Sequence, residues 1–259
     1  MNPYAPPVIS RRAGRFFMRN FLVWRKLMIS SITTHLIEPV VFTIGFGLGI
    51  GALVGEVDGV SYLQYIAAGM AGYTVMNGAS FEALYSAYTR MHVQRNWDAV
   101  LHAPMALDDI VAGEWLWAGV KSAVAGTAML GVLSALGLVA YPSALLLPPV
   151  MLLAGMAFSS LALICTACAR GYELFSFYFT LFITPMMLLS GAFFPVQQMP
   201  EALQAFSAFL PLRHFVEIAR PLLAGEIPPF WALNLTALAL YAAGGLWLAM
   251  VLTRRRFSA

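Results

Sequence analysis

Six stretches of this chain are predominantly apolar and nearly free of charge, at 36–54, 62–83, 115–140, 144–168, 174–194 and 230–252. A helix rises 1.5 Å per residue and a hydrocarbon core is about 30 Å thick, so a run of about 20 apolar residues is what one crossing requires. None of the six shows the alternation of polar and apolar residues that marks a barrel strand. The chain therefore reads as an all-α integral membrane protein with six transmembrane helices, organised as a single transmembrane domain over 1–259. Composition agrees, because only 10% of the residues are charged, against about 25% in soluble domains. A soluble fold, a disordered chain and a basic nucleic-acid-binding surface are thereby excluded. Cys165 and Cys168 lie inside one apolar run, where small packing residues are a better reading than a redox pair or a disulfide.

Orientation follows from the cations. Arg11, Arg12, Arg15, Arg19, Arg25 and Lys26 precede the first run, Arg90 and Arg95 follow the second, Arg170 follows the fourth, and Arg254, Arg255 and Arg256 follow the sixth. With six crossings, all four segments lie on one face, while the opposite face holds only Arg213 and Arg220 among Glu56, Asp58, Glu201, Glu217 and Glu226. Both termini are thus expected on the cytoplasmic side. Lys121, inside the third run, is expected to snorkel toward that side past Glu114.

At the N-terminus, Phe16, Phe17, Phe21, Leu22, Trp24 and Leu27 alternate with Arg15, Arg19, Arg25 and Lys26. No uninterrupted apolar segment precedes a small-residue cleavage site, so a signal peptide is not expected. The pattern predicts a cytoplasmic amphipathic helix over 10–33, lying among anionic headgroups. The alternative is a basic juxtamembrane tail.

Between the fifth and sixth runs, 195–229 is too apolar for an ordinary loop yet is cut by Pro195, Pro200, Pro211, Pro221, Pro228 and Pro229. No piece between these prolines is long enough to cross, which predicts short helices re-entering the outer leaflet. Arg213, Glu217 and Arg220 are spaced to pair along one helical face, either for solubility at an interface or to fix the shape of a gate. On the other side, 90–114 mixes Arg90, His92, Arg95, Asp98, His102, Asp108 and Asp109 with Met91, Trp97, Leu101 and Met105, divided by Pro104. Apolar anchors among charges suit a docking surface for a protein partner; the plainer reading is a loop cap. His92 and His102 are too far apart, with too few further ligands nearby, to favour a metal site.

Within the spans, Glu38, Phe42, Gly45 and Gly49 fall on one side of the first, and Phe175, Tyr178, Phe179 and Phe182 cluster on one side of the fifth. An ionisable group inside a span tends to face a cavity or a partner, which makes Glu38 a candidate for a substrate pathway; its alternative is a helix-end carboxylate paired with His35. Aromatic faces slide along sugar rings and acyl chains alike, although such stripes also serve as packing. The pairs Gly45 with Gly49 and Gly47 with Gly51 permit close helix approach, as at a dimer seam.

The run Leu189-Ser190-Gly191-Ala192-Phe193-Phe194-Pro195, then Met199-Pro200, Leu210-Pro211-Leu212-Arg213-His214, Glu217, Arg220-Pro221 and Gly225, resembles the C-terminal signature of type 2 ABC exporter permeases. Within that class the chain is most similar to the NodJ group, whose members pair with a NodI-type ATPase in the export of lipo-oligosaccharides, and more distantly to polysaccharide and drug-exporting permeases. The resemblance covers essentially the whole chain. It implies a bacterial inner-membrane location, two copies of the permease with two ATPase subunits, and a substrate pathway at the permease dimer interface. It places ATPase coupling on 90–109, with Arg15, Arg19 and Arg25 of the N-terminal helix contributing, and an extracytoplasmic gate on Phe193, Phe194, Arg213, His214, Glu217 and Arg220. The cargo it implies is an amphipathic glycolipid-like molecule; a drug or small hydrophobe is the alternative within the class, and a non-transporting scaffold the alternative outside it.

A phosphate-binding loop needs Gly-Lys-Ser/Thr. The two lysines, Lys26 and Lys121, follow Arg25 and Val120, so no such loop exists in this chain. No cofactor, metal or nucleic acid is expected on it, and no catalytic residue; ATP and magnesium belong to the partner subunit.

Overall fold

A computed structural model describes residues 4–258. The fold is a helical bundle in which, among the described residues, four helices are long and apolar enough to cross a membrane, at Met28–Val54, Leu107–Ala135, Ser143–Cys168 and Trp231–Ser258.

The chain begins with α1 (Ala13–Arg25), breaks at Lys26 and Leu27, and restarts as α2 (Met28–Gly49) and the short α3 (Gly51–Val54). The N-terminal helix is thus shorter than the expected 10–33, and the helix of the first apolar run starts well before residue 36. A two-residue hairpin, β1 (Glu56–Val57) with β2 (Val60–Ser61), leads into α4 (Tyr62–Phe81), whose N-terminus is capped by the Ser61 hydroxyl accepting from the Gln64 amide. That helix continues through π-helical turns at Glu82–Ser86 and Thr89–Val93. Wide turns of this kind free backbone carbonyls; here the Thr166 hydroxyl donates to the Ala83 carbonyl at 2.7 Å and the Thr89 hydroxyl to that of Tyr85 at 2.6 Å.

Next come α5 (Asn96–Leu101), α6 (Leu107–Ala135) and α7 (Leu147–Cys168), the last entered through a 3₁₀ turn with prolines in its first helical positions, where proline's missing N–H costs nothing. The fifth apolar run forms α8 (Glu173–Tyr178), a π-helical turn at Phe179–Ile183 and α9 (Thr184–Leu189). It is followed by α10 (Glu201–Ser207), α11 (Pro211–Ala224) and α12 (Trp231–Ser258). Two short helices therefore stand where the prolines of 195–229 require them. Leu210 is extended before Pro211, and Gly225 at φ 91° closes α11 in the left-handed conformation that glycine adopts without strain.

The centre of the bundle is α4, which packs against α2, α6, α7 and α11. It is buried over most of its surface, Tyr65, Ile66, Ala68, Met70, Val75 and Met76 completely, with Leu63, Gln64 and Asn77 half-buried and Phe81 exposed along one edge. Because protein rather than lipid covers most of it, α4 can bury Tyr73 and Thr74 and is less apolar than α2 and α7. Glycine permits the closest approaches. A methyl at Gly69 would stand 2.6 Å from the Ala192 carbonyl oxygen, and one at Gly126 2.5 Å from a Val75 methyl. By contrast α2 buries only Pro39, Thr43 and Gly47 and presents the rest of its surface outward. Of the two glycine pairs on this helix, Gly47 and Gly51 pack inside the chain against Leu63 and Tyr62, while a methyl at Gly45 or Gly49 meets nothing within 4 Å.

The apolar side of α1 faces protein rather than headgroups alone. Phe16 and Asn20 are buried, Phe16 lies against Gly113 of α6, and Phe17, Phe21 and Trp24 surround Trp117.

Candidate functional site

Charged residues concentrate at one end of the bundle, where α1, the extension of α4, α5 and the start of α6 meet. Arg90 is the hub. Its Nε and Nη2 donate to the two carboxylate oxygens of Glu114 at 2.8 and 2.6 Å, and Nη2 also reaches Glu82 Oε1 at 2.8 Å. This two-pronged geometry matches the planar guanidinium to the planar carboxylate. Burial alone would make the Arg90 guanidinium easier to deprotonate, but Glu114 and Glu82 outweigh that and hold it firmly charged. Lys121 Nζ lies 2.6 Å from Glu82 Oε2, so it does not snorkel out to the headgroups past Glu114 but is absorbed by a carboxylate at its own depth. Trp117 and Trp97 complete the cluster, donating their indole N–H groups to Glu82 at 2.9 Å and Glu114 at 3.2 Å. Asn20 ties α1 in by donating to Glu114 at 3.1 Å, and Arg19 donates to Asn20 at 3.1 Å while lying over the Phe16 ring. A cavity of about 370 Å³ opens beside this network, lined by Arg19, Asn20, Glu82, Tyr85, Arg90 and Trp117 among others.

A second lock lies alongside. Arg254 Nε donates to Asp108 Oδ1 at 2.7 Å and Nη1 to the Ala5 carbonyl at 2.6 Å, while the Val8 amide donates to Asp108 Oδ2 at 2.9 Å. Asp109 accepts from the Ser10 amide at 2.6 Å and hydroxyl at 2.9 Å. Both carboxylates sit in the first turn of α6, where the helix dipole favours negative charge. The N-terminal segment is therefore held by α6 and α12 together.

These contacts divide the 90–109 segment in a way the sequence does not reveal. Trp97 is 1% exposed and Met91 is also buried, so the apolar anchors point inward and do not form a surface for a partner's groove. Arg90, Asp108 and Asp109 are spent on internal bonds. His92, Arg95, Asp98 and His102 remain exposed, as does Arg15 on α1. They form a polar outer face on and beside α5, a helix fixed from beneath by Trp97, which also stacks on Phe257 of α12.

At the opposite end, the signature residues are braced. Gly191, at φ 79°, turns the chain after α9; its carbonyl accepts from Tyr65 at 3.2 Å and Arg220 at 2.6 Å. Arg220 lies over the Tyr65 ring at 3.7 Å, so it does not pair with Glu217 as its spacing suggests; α4 lies beside α11 and offers the ring and carbonyl instead. The Arg213–Glu217 pair does form at 2.7 Å, and Arg213 also reaches the Gln204 carbonyl of α10 at 3.2 Å. His214 Nδ1 joins Asn234 of α12 at 2.8 Å. Phe193 is buried against Phe46 of α2, while Phe194 is exposed.

Inside the spans, Glu38 accepts from the Tyr73 hydroxyl at 2.9 Å, and His35 instead packs edge-on against Phe81. Phe42 stacks on Phe46 at 5.4 Å. The four aromatics of the fifth run stay in contact, Tyr178 stacking on Phe182 at 5.5 Å and Phe175 and Phe179 both lying against Tyr85, but they are not equally exposed. Phe175 and Tyr178 are buried, Phe179 is half-buried and Phe182, within the π-helical turn, is exposed.

Sequence reasoning missed Glu82 and Asn20, passed over Tyr73 and Asn77, and named Glu114 without its role. The signal was present for Glu82 and Lys121, since opposite charges inside two apolar runs are costly unless they meet.

Taken together, the chain is a multi-pass membrane protein with a charged clamp at one end, a braced helical cap at the other, and no phosphate-binding loop. It matches the ABC-2 type transporter family over residues 14–223 and belongs to that family, as the membrane subunit without an ATPase domain. It is similar to nodulation protein J of Rhizobium meliloti (strain 1021), 44% identical over 238 residues covering 92% of this chain and 91% of that protein. Nodulation protein J of Bradyrhizobium diazoefficiens is 41% identical over the same length, with 92% and 91% covered. The inner membrane transport permease YadH of Escherichia coli is 26% identical over 196 residues, 74% of each chain.

Proposed function

We propose that this chain is the permease subunit of an ABC exporter that carries an amphipathic lipo-oligosaccharide or similar glycolipid outward across the inner membrane, driven by separate NodI-like ATPase subunits. The observation that carries the reading is the mounting of α5. Its exposed face presents Arg95, Asp98 and His102, while Trp97 and Arg90 beneath it bind Glu114 and Glu82 of α6 and the α4 extension. A push on that face is delivered to two helices at once. A partner with different affinities for two positions of α5 therefore shifts the bundle between them.

The assembly is two permeases with two ATPases, and the chain crosses six times with both termini in the cytoplasm. The distribution of Arg and Lys supports this orientation, and the apolar surroundings of α4 and of α8 with α9 support the second and fifth crossings. In this arrangement 90–109 and α1 face the ATPase, 195–229 forms the gate on the outer side, and Glu38 with Phe42 borders the pathway.

The test is co-expression with the cognate ATPase, reconstitution into proteoliposomes, and measurement of ATP-dependent movement of a lipo-oligosaccharide. Transport is expected with wild-type ATPase and none with an ATPase unable to hydrolyse ATP. Transport of hydrophobic drugs in place of the glycolipid would overturn the cargo, and a permease that binds no ATPase would overturn the whole reading.

A further inference from the structure

We infer that Glu38, Tyr73 and Asn77 form a saccharide-binding subsite, a station at which hydroxyl groups of a glycan are held partway across the bundle. The inference deepens the exporter reading and rests on it for the direction of movement.

The three side chains form one hydrogen-bonded string on the outward face of α2 and α4. The Tyr73 hydroxyl donates to Glu38 Oε1 at 2.9 Å and accepts from Asn77 Nδ2 at 3.2 Å. Tyr73 is buried, Asn77 half-buried and Glu38 exposed. The string is thus anchored inside and ends in open space. Among the described residues, Glu38 Oε2 and the Asn77 carboxamide oxygen have no partner.

An exposed carboxyl group within an apolar span is expensive against lipid, so this face is turned to a polar occupant. The stripe beyond Glu38 is open: a methyl at Gly45 or Gly49 meets no atom within 4 Å. What remains unfilled at the string is a pair of acceptors together with a carboxamide donor. That set suits hydroxyl groups, which both donate and accept.

Aromatic rings continue the face in both directions. Toward the charged end, His35 packs on Phe81 at 6.0 Å, and Phe81 stacks at 4.8 Å on Tyr85, which lines the cavity beside Arg90. Toward the cap, Phe42, Phe46 and Phe193 follow with successive ring separations of 5.4 and 5.7 Å. The string is the polar gap in a contact chain that runs from the cavity to the cap. Rings above and below a cluster of hydrogen-bonding groups present apolar faces to sugar rings while the cluster takes their hydroxyls. A bare acyl chain would leave the cluster unpaired, at the cost of burying unsatisfied polar groups.

The experiment measures binding of dodecyl maltoside and of dodecylphosphocholine, which share one alkyl chain, to the full permease–ATPase complex in nanodiscs. Wild type is expected to favour the maltoside by about tenfold, the worth of one or two net hydrogen bonds. Tyr73→Phe, which keeps the ring, and Asn77→Leu should each bring the ratio close to one, with phosphocholine binding little changed. Equal affinities in wild type, or a maltoside preference that survives both substitutions, would overturn the inference. So would dissociation of the complex into single permeases on Glu38→Gln, which would make the string a contact between copies. Failure of ATP-driven lipo-oligosaccharide export with the maltoside preference intact would instead reject the exporter reading and leave the subsite standing.

Discussion

Arg254, near the end of the last helix, bonds Asp108 in the first turn of α6, Nε to Oδ1 at 2.7 Å, across 146 residues of sequence. Both side chains are almost wholly buried, and the same guanidinium holds the Ala5 carbonyl. The start, middle and end of the chain are joined at this point. Removing one member of a buried pair strands the other and costs about 3–5 kcal/mol. Asp108→Ala should therefore lower the thermal midpoint of the detergent-solubilised protein. Limited proteolysis should then cut ahead of α1 faster than in wild type, where Val8 and Ser10 are held by Asp108 and Asp109.

The Glu82 cluster makes a second, asymmetric prediction. Glu82 accepts from Arg90, Lys121 and Trp117. Its replacement by Gln leaves Lys121 without its counter-charge, whereas Lys121→Met leaves Glu82 still paired to Arg90. Glu82→Gln should be the more destabilising by about 1–3 kcal/mol. Thermal denaturation of the two variants side by side checks the order, and a larger loss for Lys121→Met would contradict the network as described.

Residues of the 90–109 segment should separate into two phenotypes. Trp97→Ala removes a fully buried ring and a hydrogen bond to Glu114, at a cost of about 3–5 kcal/mol, and should lower yield and stability. Asp98→Lys, Arg95→Glu and His102→Glu act on the exposed face; stability should stay within about 0.5 kcal/mol of wild type. In the reconstituted complex those same substitutions should uncouple ATP hydrolysis from transport. Loss of folding in the surface variants, or full coupling in all three, would argue against α5 as the docking element.

Small residues give the sharpest packing test. Gly69→Ala places a methyl 2.6 Å from the Ala192 carbonyl oxygen and should cost about 1–3 kcal/mol through overpacking. Gly45→Ala meets nothing within the chain and should leave the folded permease unaffected or slightly more stable. A Gly45→Leu variant that folds normally yet fails to form paired permeases, measured by multi-angle light scattering, would assign the open stripe to the seam between copies.

Much of this architecture is written in the linear chain. Scarcity of charge selects the membrane, runs of apolar residues mark the helices, and prolines between 195 and 229 force short helices, because these follow from solvent and from backbone chemistry that each residue carries locally. The signature from Leu189 to Gly225 places the chain in its class. Partners were beyond that reach. Spacing along one helix paired Arg220 with Glu217, sent Lys121 to the headgroups, joined His35 to Glu38 and turned Trp97 toward a partner. In each case a side chain on a neighbouring helix, Tyr65, Glu82, Tyr73 or Glu114, offers the better bond. Helical periodicity does group Phe175 to Phe182, but it does not say which of them is covered: Phe175 and Tyr178 are buried while Phe182 is exposed. The sequence thus determines which segments are helices and what solvent they enter; tertiary structure alone decides which charges meet, because a buried charge seeks the nearest opposite group in space, whatever its distance along the chain.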